Sequence, residues 1–509
     1  MTSVWLATRP PQREFPELDE DVRADVAVIG GGIVGLTSAV LLQEAGLRVV
    51  LLEANRLGHG VSGHTTAKVT SQHGLIYARL RARFGADGAR TYAAANQAGL
   101  EWIADRVAAD GIECDFRRRP AYAYVTSAAR RHKADREAQA AEQAGLPAWL
   151  AETTPLPFDV EAAVRFDNQA EFHAGRYLAA LADSLAGARI FERSHAVEVS
   201  SNGDRTVKTP GGRVTAGHVI VATHYPFLDR SLAFARLTPQ RSYAILCRVA
   251  GALPEGMFIS GDSPTRSVRA VPLDGEERLL VGGEGHKTGT GGDTRVRYQR
   301  LEDFARRHWD VRSVDFRWSA QDNVTLDGVP YVGPVTPWDD RVLMATGFGK
   351  WGLTGGTAAA LILADRVLGH ENPWADLFDP SRLSQLASPR LVKENAEVGL
   401  RFVGDRLTKP GRRSLDDLRA GEGDIVRHEG ERLAAFRDED GTVTAVSPVC
   451  THRGCQVAFN HAERSWDCPC HGSRFAVDGS VLQGPAVHRL EHRPLEERGG
   501  SRSSRRNSA

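Results

Sequence analysis

Along most of its length, this chain alternates between short apolar runs, which are typical of buried strands, and segments with apolar residues at helical spacing. DVAVI at residues 25–29 forms a short apolar run, GGGIVG follows it, and IVGLTSAVLLQEAGL then carries apolar residues at helical spacing. A second apolar run, RVVLLE, ends at Glu53. An apolar strand, a glycine turn, a helix and another apolar strand predict a βαβ unit in a parallel sheet.

The same order of elements returns later in the chain. Residues 218–229 predict a buried strand and a turn, and residues 341–369 predict a strand, a glycine turn and a helix. Residues 278–293, RLLVGGEGHKTGTGGD, predict a strand and a flexible glycine-rich loop. That loop lacks the GxGxxG spacing, so we expect no second nucleotide site there. From about residue 414, short strands and turns predict a small β domain.

Length and composition limit the class of protein. A chain of 509 residues suggests about two to four domains. Its 64 basic and 64 acidic residues cancel, which gives no electrostatic reason to expect a nucleic acid or an anionic membrane as the partner. No run approaches the roughly 18 apolar residues of a membrane span, and the polar N-terminus does not have the pattern of a signal peptide. We therefore expect a cytoplasmic protein.

The first glycine turn carries a dinucleotide-binding pattern. Gly30, Gly32 and Gly35 form GxGxxG between a predicted strand and a predicted helix, and Glu53 follows the second strand. Such glycines let a pyrophosphate approach the helix N-terminus, and the acidic residue accepts a hydrogen bond from a ribose hydroxyl. The alternative is a tight turn in another kind of α/β unit.

Four of the six cysteines lie between residues 450 and 470, in the segments CTHRGC and CPCHGS. Each segment offers one Cys and one His at ligand spacing: Cys450 with His452, and Cys468 with His471. Two thiolates on one iron and two imidazoles on the other are the ligand set of a Rieske 2Fe–2S centre. A structural zinc site is the alternative. The isolated Cys114 and Cys247 are expected to be reduced packing residues.

About the first 370 residues resemble the D-amino-acid oxidase/glycine oxidase superfamily of FAD-dependent oxidoreductases. The resemblance depends on VAVIGGGIVG, on GHTTAKVTSQHG, and on SAQDNVTLDGVPYVGP followed by ATGFGKWGLTGG. The part from about residue 413 resembles a Rieske domain of the cytochrome bc type. The whole order is similar to a bacterial group of FAD-dependent oxidoreductases with a C-terminal Rieske domain.

The resemblance implies the fold class and the domain order. We expect an α/β protein with a Rossmann-type FAD-binding domain, an interleaved α+β substrate domain and a small all-β Rieske domain. The oxidoreductase domain is expected over 1–380, with FAD-binding parts at about 24–85, 150–237 and 320–371, and substrate parts at about 86–149 and 238–319. The predicted remainder is a linker over 381–412, the Rieske domain over 413–497 and a disordered tail over 498–509.

The resemblance also assigns residues to FAD. The positions that match the family's FAD-binding segments are Gly30, Gly32, Gly35, Glu53, Thr65, Thr66, Lys68, Gly347, Gly352, Thr354 and Gly355. His64 occupies a position similar to that of the histidine bonded covalently to FAD in dimethylglycine dehydrogenase-like members. The alternative for His64 is an ordinary hydrogen-bonding histidine near the cofactor.

In the Rieske part, the resemblance makes Cys450 and Cys468 ligands of one iron, and His452 and His471 ligands of the other. It implies a disulfide that joins the two cluster loops, between Cys455 and Cys470.

Two positions near the cluster depart from the respiratory pattern, while Ser473 and the third loop at 484–486 keep it. Arg453 stands where respiratory domains carry Leu, and Phe475 stands where they carry a hydrogen-bonding Tyr. Without that hydroxyl donor the reduced cluster is less stabilised. We therefore expect its midpoint potential to lie below about +300 mV, the upper end of the range for Rieske centres. Arg453 also argues against quinol docking, which needs an apolar tip.

Three residues are candidates for the substrate pocket, and two of them, Lys350 and Tyr243, are the candidate catalytic residues. Lys350 falls where glycine oxidase-like enzymes place an arginine that clamps a carboxylate, and lysine cannot make the same bidentate fork. That difference argues against a simple α-amino acid as substrate; the alternative for Lys350 is a surface lysine. Tyr243 and Arg241 are placed in the pocket only by their expected position on the strand that enters the substrate domain.

Together these features predict a dehydrogenase that oxidises a C–N bond of an amine or N-substituted amino acid. Its flavin would pass electrons through the Rieske cluster to an external one-electron acceptor. One alternative is a reductase or monooxygenase in which an external donor reduces the Rieske centre, which then reduces the flavin. Another is an electron-transfer module with no dedicated small substrate. A Rieske oxygenase is not expected, since the sequence offers no set of two His and one carboxylate for a mononuclear iron.

Overall fold

The computed structural model describes residues 2–200, 203–228, 230, 235–382 and 413–495. The predicted tail over 498–509 lies outside the described residues, as does the predicted linker from residue 383 onward. No helix of the described part is both long and apolar enough to cross a membrane. The expected cytoplasmic location stays a prediction.

Helices and strands alternate through the larger part of the chain. The helices are α1 Val4–Ala7, α2 Ile33–Glu44, α3 Tyr77–Ala109, α4 Arg131–Gln143, α5 Ala174–Asp183, α6 Arg295–His308, α7 Gly352–Leu368 and α8 Ala375–Phe378. The strands of the first half are β1 Asp21–Ile29, β2 Val49–Leu52, β3 Lys68–Val69, β4 Arg117–Val125, β5 Ala148–Ala151, β6 Ala162–Glu171, β7 Arg189–Phe191, β8 Glu198–Val199, β9 Arg205–Lys208 and β10 Arg213–Val221.

Long strands dominate residues 237–346. The strands of this stretch are β11 Leu237–Ala250, β12 Met257–Ser260, β13 Arg266–Leu273, β14 Glu276–Lys287, β15 Asp310–Thr325, β16 Tyr331–Thr336 and β17 Asp339–Thr346. The strands of the C-terminal part are β18 Glu422–His428, β19 Glu431–Arg437, β20 Val443–Val446, β21 Ala458–Asn460, β22 Ser465–Asp467, β23 Arg474–Ala476 and β24 Val481–Gln483.

The first sheet contains the predicted βαβ unit. Its main order is β16-β17-β10-β1-β2-β7, with β9 and β8 attached beside β10. β1 is parallel to both β2 and β10, and all four residues of β2 are buried. Continuous apolar strands of this kind are typical of parallel sheets that are covered on both faces. The carboxyl ends of β1, β2 and β10 therefore meet at one edge, where α2 begins.

The second sheet has nine strands in the main order β15-β11-β14-β13-β12-β4-β6-β3, with β5 beside β6. β6 pairs with β4 along most of its length, so residues 162–171 lie in this second sheet. The division of the larger part into FAD-binding and substrate parts stays a prediction. Helix α6 packs on one face of β11 and β14, in a buried cluster that includes Tyr243 and Tyr298.

The C-terminal part is a separate, all-β unit made of two small sheets, β18-β19-β20 and β21-β22-β23-β24. A compact apolar core packs around its four cysteines with Trp466 and Phe475 at the centre. The predicted fold class, mixed α/β with a small all-β domain at the C-terminal end, is confirmed.

Candidate functional site

The glycine turn between β1 and α2 leaves no room for side chains. Gly30 has φ of +110°, and a Cβ built on it would lie 2.5 Å from the carbonyl oxygen of Ala222. A Cβ on Gly35 would lie 1.8 Å from the carbonyl oxygen of Gly30. Gly32, the N-cap residue of α2, has no side chain to cover the helix N-terminus, and the amide of Ile33 donates to Ser62 Oγ at 3.1 Å. The positive end of the α2 dipole is thus presented at the strand edge, which suits a pyrophosphate.

Glu53 lies directly beyond β2, beside this turn. One of its carboxylate oxygens accepts a hydrogen bond from the amide of Gly31 at 2.7 Å, and the other accepts from the amide of Asn55 at 2.8 Å. Burial raises the pKa of this carboxyl group. The arrangement fixes an acceptor next to the glycine turn, where a dinucleotide's ribose would lie.

The segment 61–69 crosses from the first sheet to the second. His64 Nδ1 donates a hydrogen bond to Gly60 O, 3.0 Å away. The backbone carbonyl oxygen of His64 accepts a hydrogen bond from Trp318 Nε1 at 3.0 Å. The carbonyl oxygen of Thr65 accepts from Trp5 Nε1 at 2.7 Å. Lys68 donates to the carbonyl oxygen of Phe258 at 2.7 Å, and burial lowers its pKa to about 7. The ammonium of Lys68 is therefore held by the second sheet.

The turn after β17 closes the same region. Gly347 has φ of +82°, and a Cβ there would meet the side chain of Thr325 at 2.4 Å. Gly349 donates its amide to Asn323 O at 2.9 Å, and Gly352 then begins α7. Within α7, Gly355 is buried next to Thr354. This turn, residues 347–352, is called the capping turn below.

Two aromatic rings meet at the capping turn, those of His73 and Trp351. Both lie in segments that carry the family resemblance, but neither was assigned a role from the sequence. The ring of His73 stacks on Trp351 with a centroid distance of 4.7 Å. Its Nε2 also lies 3.2 Å from Thr354 Oγ1, which donates to Thr70 O at 2.8 Å. Burial lowers the pKa of His73 to about 3, so the stacked ring is neutral.

Lys350 projects from the capping turn towards the second sheet. A Cβ on Gly285 would lie 3.2 Å from Lys350 Nζ and 3.5 Å from Ser242 Oγ. The Lys350 side chain is accessible, but protein surrounds it closely enough for desolvation to lower its pKa. Burial also raises the pKa of Asp322 to about 7, although the charges of Lys350 and Arg241 oppose this rise. Asp322 is a site residue that sequence analysis missed, since one carboxylate within a strand gives no spacing pattern.

The structure does not bring Tyr243 and Arg241 together with Lys350. Tyr243 is 1% exposed, packs edge-on against Tyr298, and its hydroxyl lies 3.0 Å from His286 Nε2. Arg241 is 2% exposed and forms an ion pair with Glu463 of the C-terminal unit. Successive residues of a strand point to opposite faces. Ser242, between them, is therefore the residue of this stretch that faces Lys350.

The two Cys–His loops of the C-terminal unit have the same backbone pattern. In each, the glycine four residues after the first cysteine donates its amide to that cysteine's carbonyl oxygen, Gly454 to Cys450 at 2.9 Å and Gly472 to Cys468 at 3.0 Å. Both glycines have positive φ, +76° and +78°. A left-handed residue at this position turns each loop back sharply, which brings the predicted ligands of the two loops towards each other.

Two thiols and two imidazoles meet between these loops. Cys450 and Cys468 are both 1% exposed and carry free thiols. The Cys468 thiol lies close enough to lower the pKa of Cys450 by a direct hydrogen bond. The rings of His452 and His471 meet edge to face, with centroids 4.9 Å apart. This donor set fits a cluster with one iron held by sulfur and the other by nitrogen.

The loops are fastened to each other and to a third loop. Cys455 and Cys470 form a disulfide between them. The Ser473 hydroxyl accepts a hydrogen bond from the amide of Ala486 at 3.0 Å, which ties the third loop to the second. Arg453 is exposed at the tip of the first loop.

We expect Phe475→Tyr to raise the midpoint potential of the cluster. Phe475 is fully buried and packs with the four cysteines of the loops. A hydroxyl on this ring would add a donor beside the cluster, and donors stabilise the reduced form. A redox titration followed by EPR measures the change, with Phe459→Tyr, a partly buried ring of the same core, as the control. A potential that is unchanged or lower would contradict the role given to position 475.

Known families match both parts of the chain. Residues 25–366 match the family described as FAD dependent oxidoreductase, and residues 413–494 match the Rieske [2Fe-2S] domain. A Rieske 2Fe-2S iron-sulfur protein of Bacillus subtilis, YhfW, is 38% identical over 487 residues, which cover 95% of this chain and 96% of that protein.

More distant relatives share the larger part alone. Gamma-glutamylputrescine oxidoreductase of Escherichia coli is 25% identical over 398 residues, with 74% of this chain and 90% of that protein covered. The crystal structure of glycine oxidase from Geobacillus kaustophilus superposes with a TM-score of 0.59 at 19% identity, covering 71% of this chain and 99% of that one. At this identity the superposition shows a common fold.

Proposed function

Because the chain belongs to the FAD dependent oxidoreductase family and carries a Rieske [2Fe-2S] domain, we propose that it is an amine or N-substituted amino acid dehydrogenase. One observation carries the proposal: a single chain holds both a dinucleotide cradle and the four ligands of a one-electron cluster. When bound, FAD would accept a hydride from the C–N bond, and the cluster would deliver single electrons to an external acceptor.

Two of the sequence predictions are confirmed by the family matches. The chain is an FAD-dependent oxidoreductase of the predicted superfamily, and its cofactors are FAD and a Rieske 2Fe–2S cluster. The zinc alternative for the Cys and His loops is therefore set aside. The individual FAD and cluster residues, and a covalent link through His64, stay proposals.

The chemistry of the pocket supports an amine substrate. The named substrate of the Escherichia coli relative is an amine, and the glycine oxidase that shares the fold is named for an amino acid. Lys350 offers one accessible point charge where a carboxylate clamp would need a bidentate fork. Asp322 lies near it as a buried carboxyl group whose raised pKa allows it to hold or release a proton close to neutral pH. We infer that Asp322 keeps the substrate nitrogen neutral, as loss of a hydride from the adjacent carbon requires.

A dehydrogenase is favoured over an oxidase by the second cofactor. Dioxygen can take electrons from a reduced flavin directly, so an oxidase has no need of a one-electron outlet in the same chain. The experiment that tests the proposal is an anaerobic screen of amines and N-substituted amino acids against the holoprotein. We expect bleaching of the flavin absorbance first and the EPR signal of the reduced cluster second.

Other outcomes of this screen would support the other readings of the sequence. Reduction of the cluster by a ferredoxin, followed by flavin reduction, would support a reductase or monooxygenase. Bleaching by neither amines nor a ferredoxin would support an electron-transfer module without a small substrate. Rapid stoichiometric peroxide formation in air, with no faster artificial acceptor, would support an oxidase.

We expect the rate of flavin reduction by an amine to rise as the pH passes through about 7. Below that pH the raised pKa of Asp322 keeps its carboxyl protonated, and a protonated carboxyl cannot accept a proton from the substrate ammonium. Above it the carboxylate is available. Asp322→Asn should remove this step from the pH profile measured by stopped-flow. Asp310→Asn, at an exposed position of the same strand, is the control; loss of the step in Asp310→Asn as well would contradict the assignment.

A further inference from the structure

Strands β11 and β15 separate the flavin side of the molecule from the Rieske unit. The two strands pair directly, with Arg241 opposite Gln321 and Ser242 opposite Ala320. Paired residues share a face, and successive residues alternate between faces. One face of the pair therefore carries Arg241 and Gln321, and the opposite face carries Ser242, which lies near Lys350.

The second cluster loop rests on the first of these faces. Gln321 donates its side-chain amide to the carbonyl oxygen of Gly472 at 2.8 Å. A Cβ on Gly472 would lie 2.6 Å from the side chain of Pro239 on β11. Gly289, just after β14, approaches the loop at Pro469, whose amide nitrogen would lie 2.7 Å from a Cβ at that glycine. The backbone beside the ligand His471 is thus in direct contact with the sheet.

The capping turn is attached to the same strand from the flavin side. The carbonyl oxygen of Asn323 accepts the amide of Gly349 at 2.9 Å, and Asp322 interacts electrostatically with Lys350. The attachment of the cluster loop, at Gln321, and that of the capping turn, at Asn323, are two residues apart on β15. Only one sheet therefore lies between the two sites.

A buried charge network holds the Rieske unit in this position. Glu463, whose side chain is 12% exposed, contacts Arg241 and the Ser319 hydroxyl of the second sheet, and it accepts from Arg474 at 2.9 Å. Burial would raise the pKa of Glu463, but the charges of Arg241 and Arg474 lower it to about 2. Removing one partner from such a network leaves an uncompensated buried charge, which is strongly unfavourable.

Neutral hydrogen bonds extend the contact on both sides of this network. Thr294 donates to the Asn460 side chain at 2.7 Å and accepts the amide of Ala462 at 2.9 Å. At the other end, Gln483 lies 3.1 Å from the ring of His224, which follows β10. The contact therefore joins the Rieske unit to both sheets of the larger part.

The two histidine ligands differ in their exposure. His471 is 4% exposed and lies in the loop that rests on the sheet, whereas His452 is partly exposed beside the exposed Thr451 and Arg453. One side of the cluster site thus faces the protein and the other faces the surface.

We propose that the Rieske unit works in this docked position, with residues 321–323 of β15 as the direct link between the flavin site and the cluster, and with Glu463 as the positioning residue. The inference rests on the proposed function, which supplies the electrons. Each two-electron reduction at the flavin site then needs two one-electron transfers through the cluster to two equivalents of an external acceptor such as ferricyanide. The two protons pass to solvent. With both cofactors bound, electrons would enter the cluster by the His471 side and leave by the His452 side.

The experiment uses the full-chain holoprotein and needs no amine substrate. A laser flash reduces the flavin with EDTA as donor, and the absorbance of the cluster then reports its reduction. In the wild type we expect a rate that does not change when glycerol raises the solvent viscosity, because no domain motion is required. A rate that falls in proportion to viscosity would overturn the proposal.

Glu463→Gln tests the positioning residue, with Glu439→Gln as its matched control. Glu439 is an exposed carboxylate of the same unit, paired with Arg464. We expect Glu463→Gln to slow reduction of the cluster by about tenfold or more and to make it depend on viscosity, since undocking lowers the population of the competent state. Hydrogen exchange should rise at residues 458–463, and the EPR spectrum of the chemically reduced cluster should stay as in the wild type. A Glu463→Gln protein that behaves like Glu439→Gln would overturn the role of Glu463.

Gln321→Met tests the link itself and leaves the charge network in place. We expect slower reduction of the cluster with no viscosity dependence, and an unchanged rate would overturn the assignment of β15 as the link.

Failure of this proposal can be told apart from failure of the proposed function. If transfer is fast and independent of viscosity but no amine bleaches the flavin, the dehydrogenase proposal is refuted and the docked position is supported. If an amine bleaches the flavin but transfer is limited by viscosity, the dehydrogenase proposal is supported and the docked position is refuted.

Discussion

Replacing Cys468 by alanine is expected to abolish turnover with a one-electron acceptor while the flavin can still be reduced. Cys468 is one of two buried thiols between the cluster loops, and an iron that loses a thiolate ligand is not retained. Changes to residues that only surround a metal ligand already cost about 10–100-fold in affinity or activity. We therefore expect a loss of more than about 100-fold in ferricyanide reduction.

The measurement compares three signals in the same protein: iron content, the EPR spectrum after reduction by dithionite, and anaerobic bleaching of the flavin. Iron and EPR signals should disappear together, and flavin bleaching should persist. Cys247→Ala is the control, because Cys247 is an equally buried free thiol in the second sheet, away from the cluster loops. If the Cys468→Ala protein kept its rate with ferricyanide, the cluster would not be the electron outlet.

Both cofactors could be predicted from the sequence because each has a short, continuous motif whose spacing is characteristic. The Gly30 turn needs a residue that tolerates φ of +110° and a close carbonyl, and only glycine meets both conditions. The cluster loops repeat one turn, with Gly454 and Gly472 each four residues after a predicted ligand cysteine. In such segments the spacing of the residues alone determines the local geometry.

The contacts between sites could not be predicted, since they join residues far apart in the chain. Arg241 and Glu463 are separated by 222 positions, and no periodic pattern connects them. Arg241 looked like a pocket residue because of its place in the second sheet, yet strand alternation turns it towards the Rieske unit. Trp5 gives a similar case: the N-terminal segment showed only polarity, but this ring is buried and donates to Thr65 O.

We expect Gly35→Ala to abolish stable FAD binding. A methyl group at this position would lie 1.8 Å from the carbonyl oxygen of Gly30 and 3.0 Å from its carbonyl carbon. Both are backbone atoms of the turn, so no side chain can move aside, and α2 must shift away from β1. Forced overpacking of this kind costs about 1–3 kcal/mol in an otherwise intact core. The shift also moves the α2 N-terminus, which provides the anion site.

The ratio of flavin to protein after gel filtration measures this loss, and thermal unfolding with and without added FAD measures its effect on stability. Wild-type protein should unfold at a higher temperature when FAD is added, because a ligand that binds only the folded state stabilises it. Gly35→Ala should lose this increase. Gly60→Ala is the control, since Gly60 has φ of −72° and no atom lies within 4 Å of a Cβ built there. Full flavin occupancy in Gly35→Ala would mean that the turn between β1 and α2 does not hold the pyrophosphate.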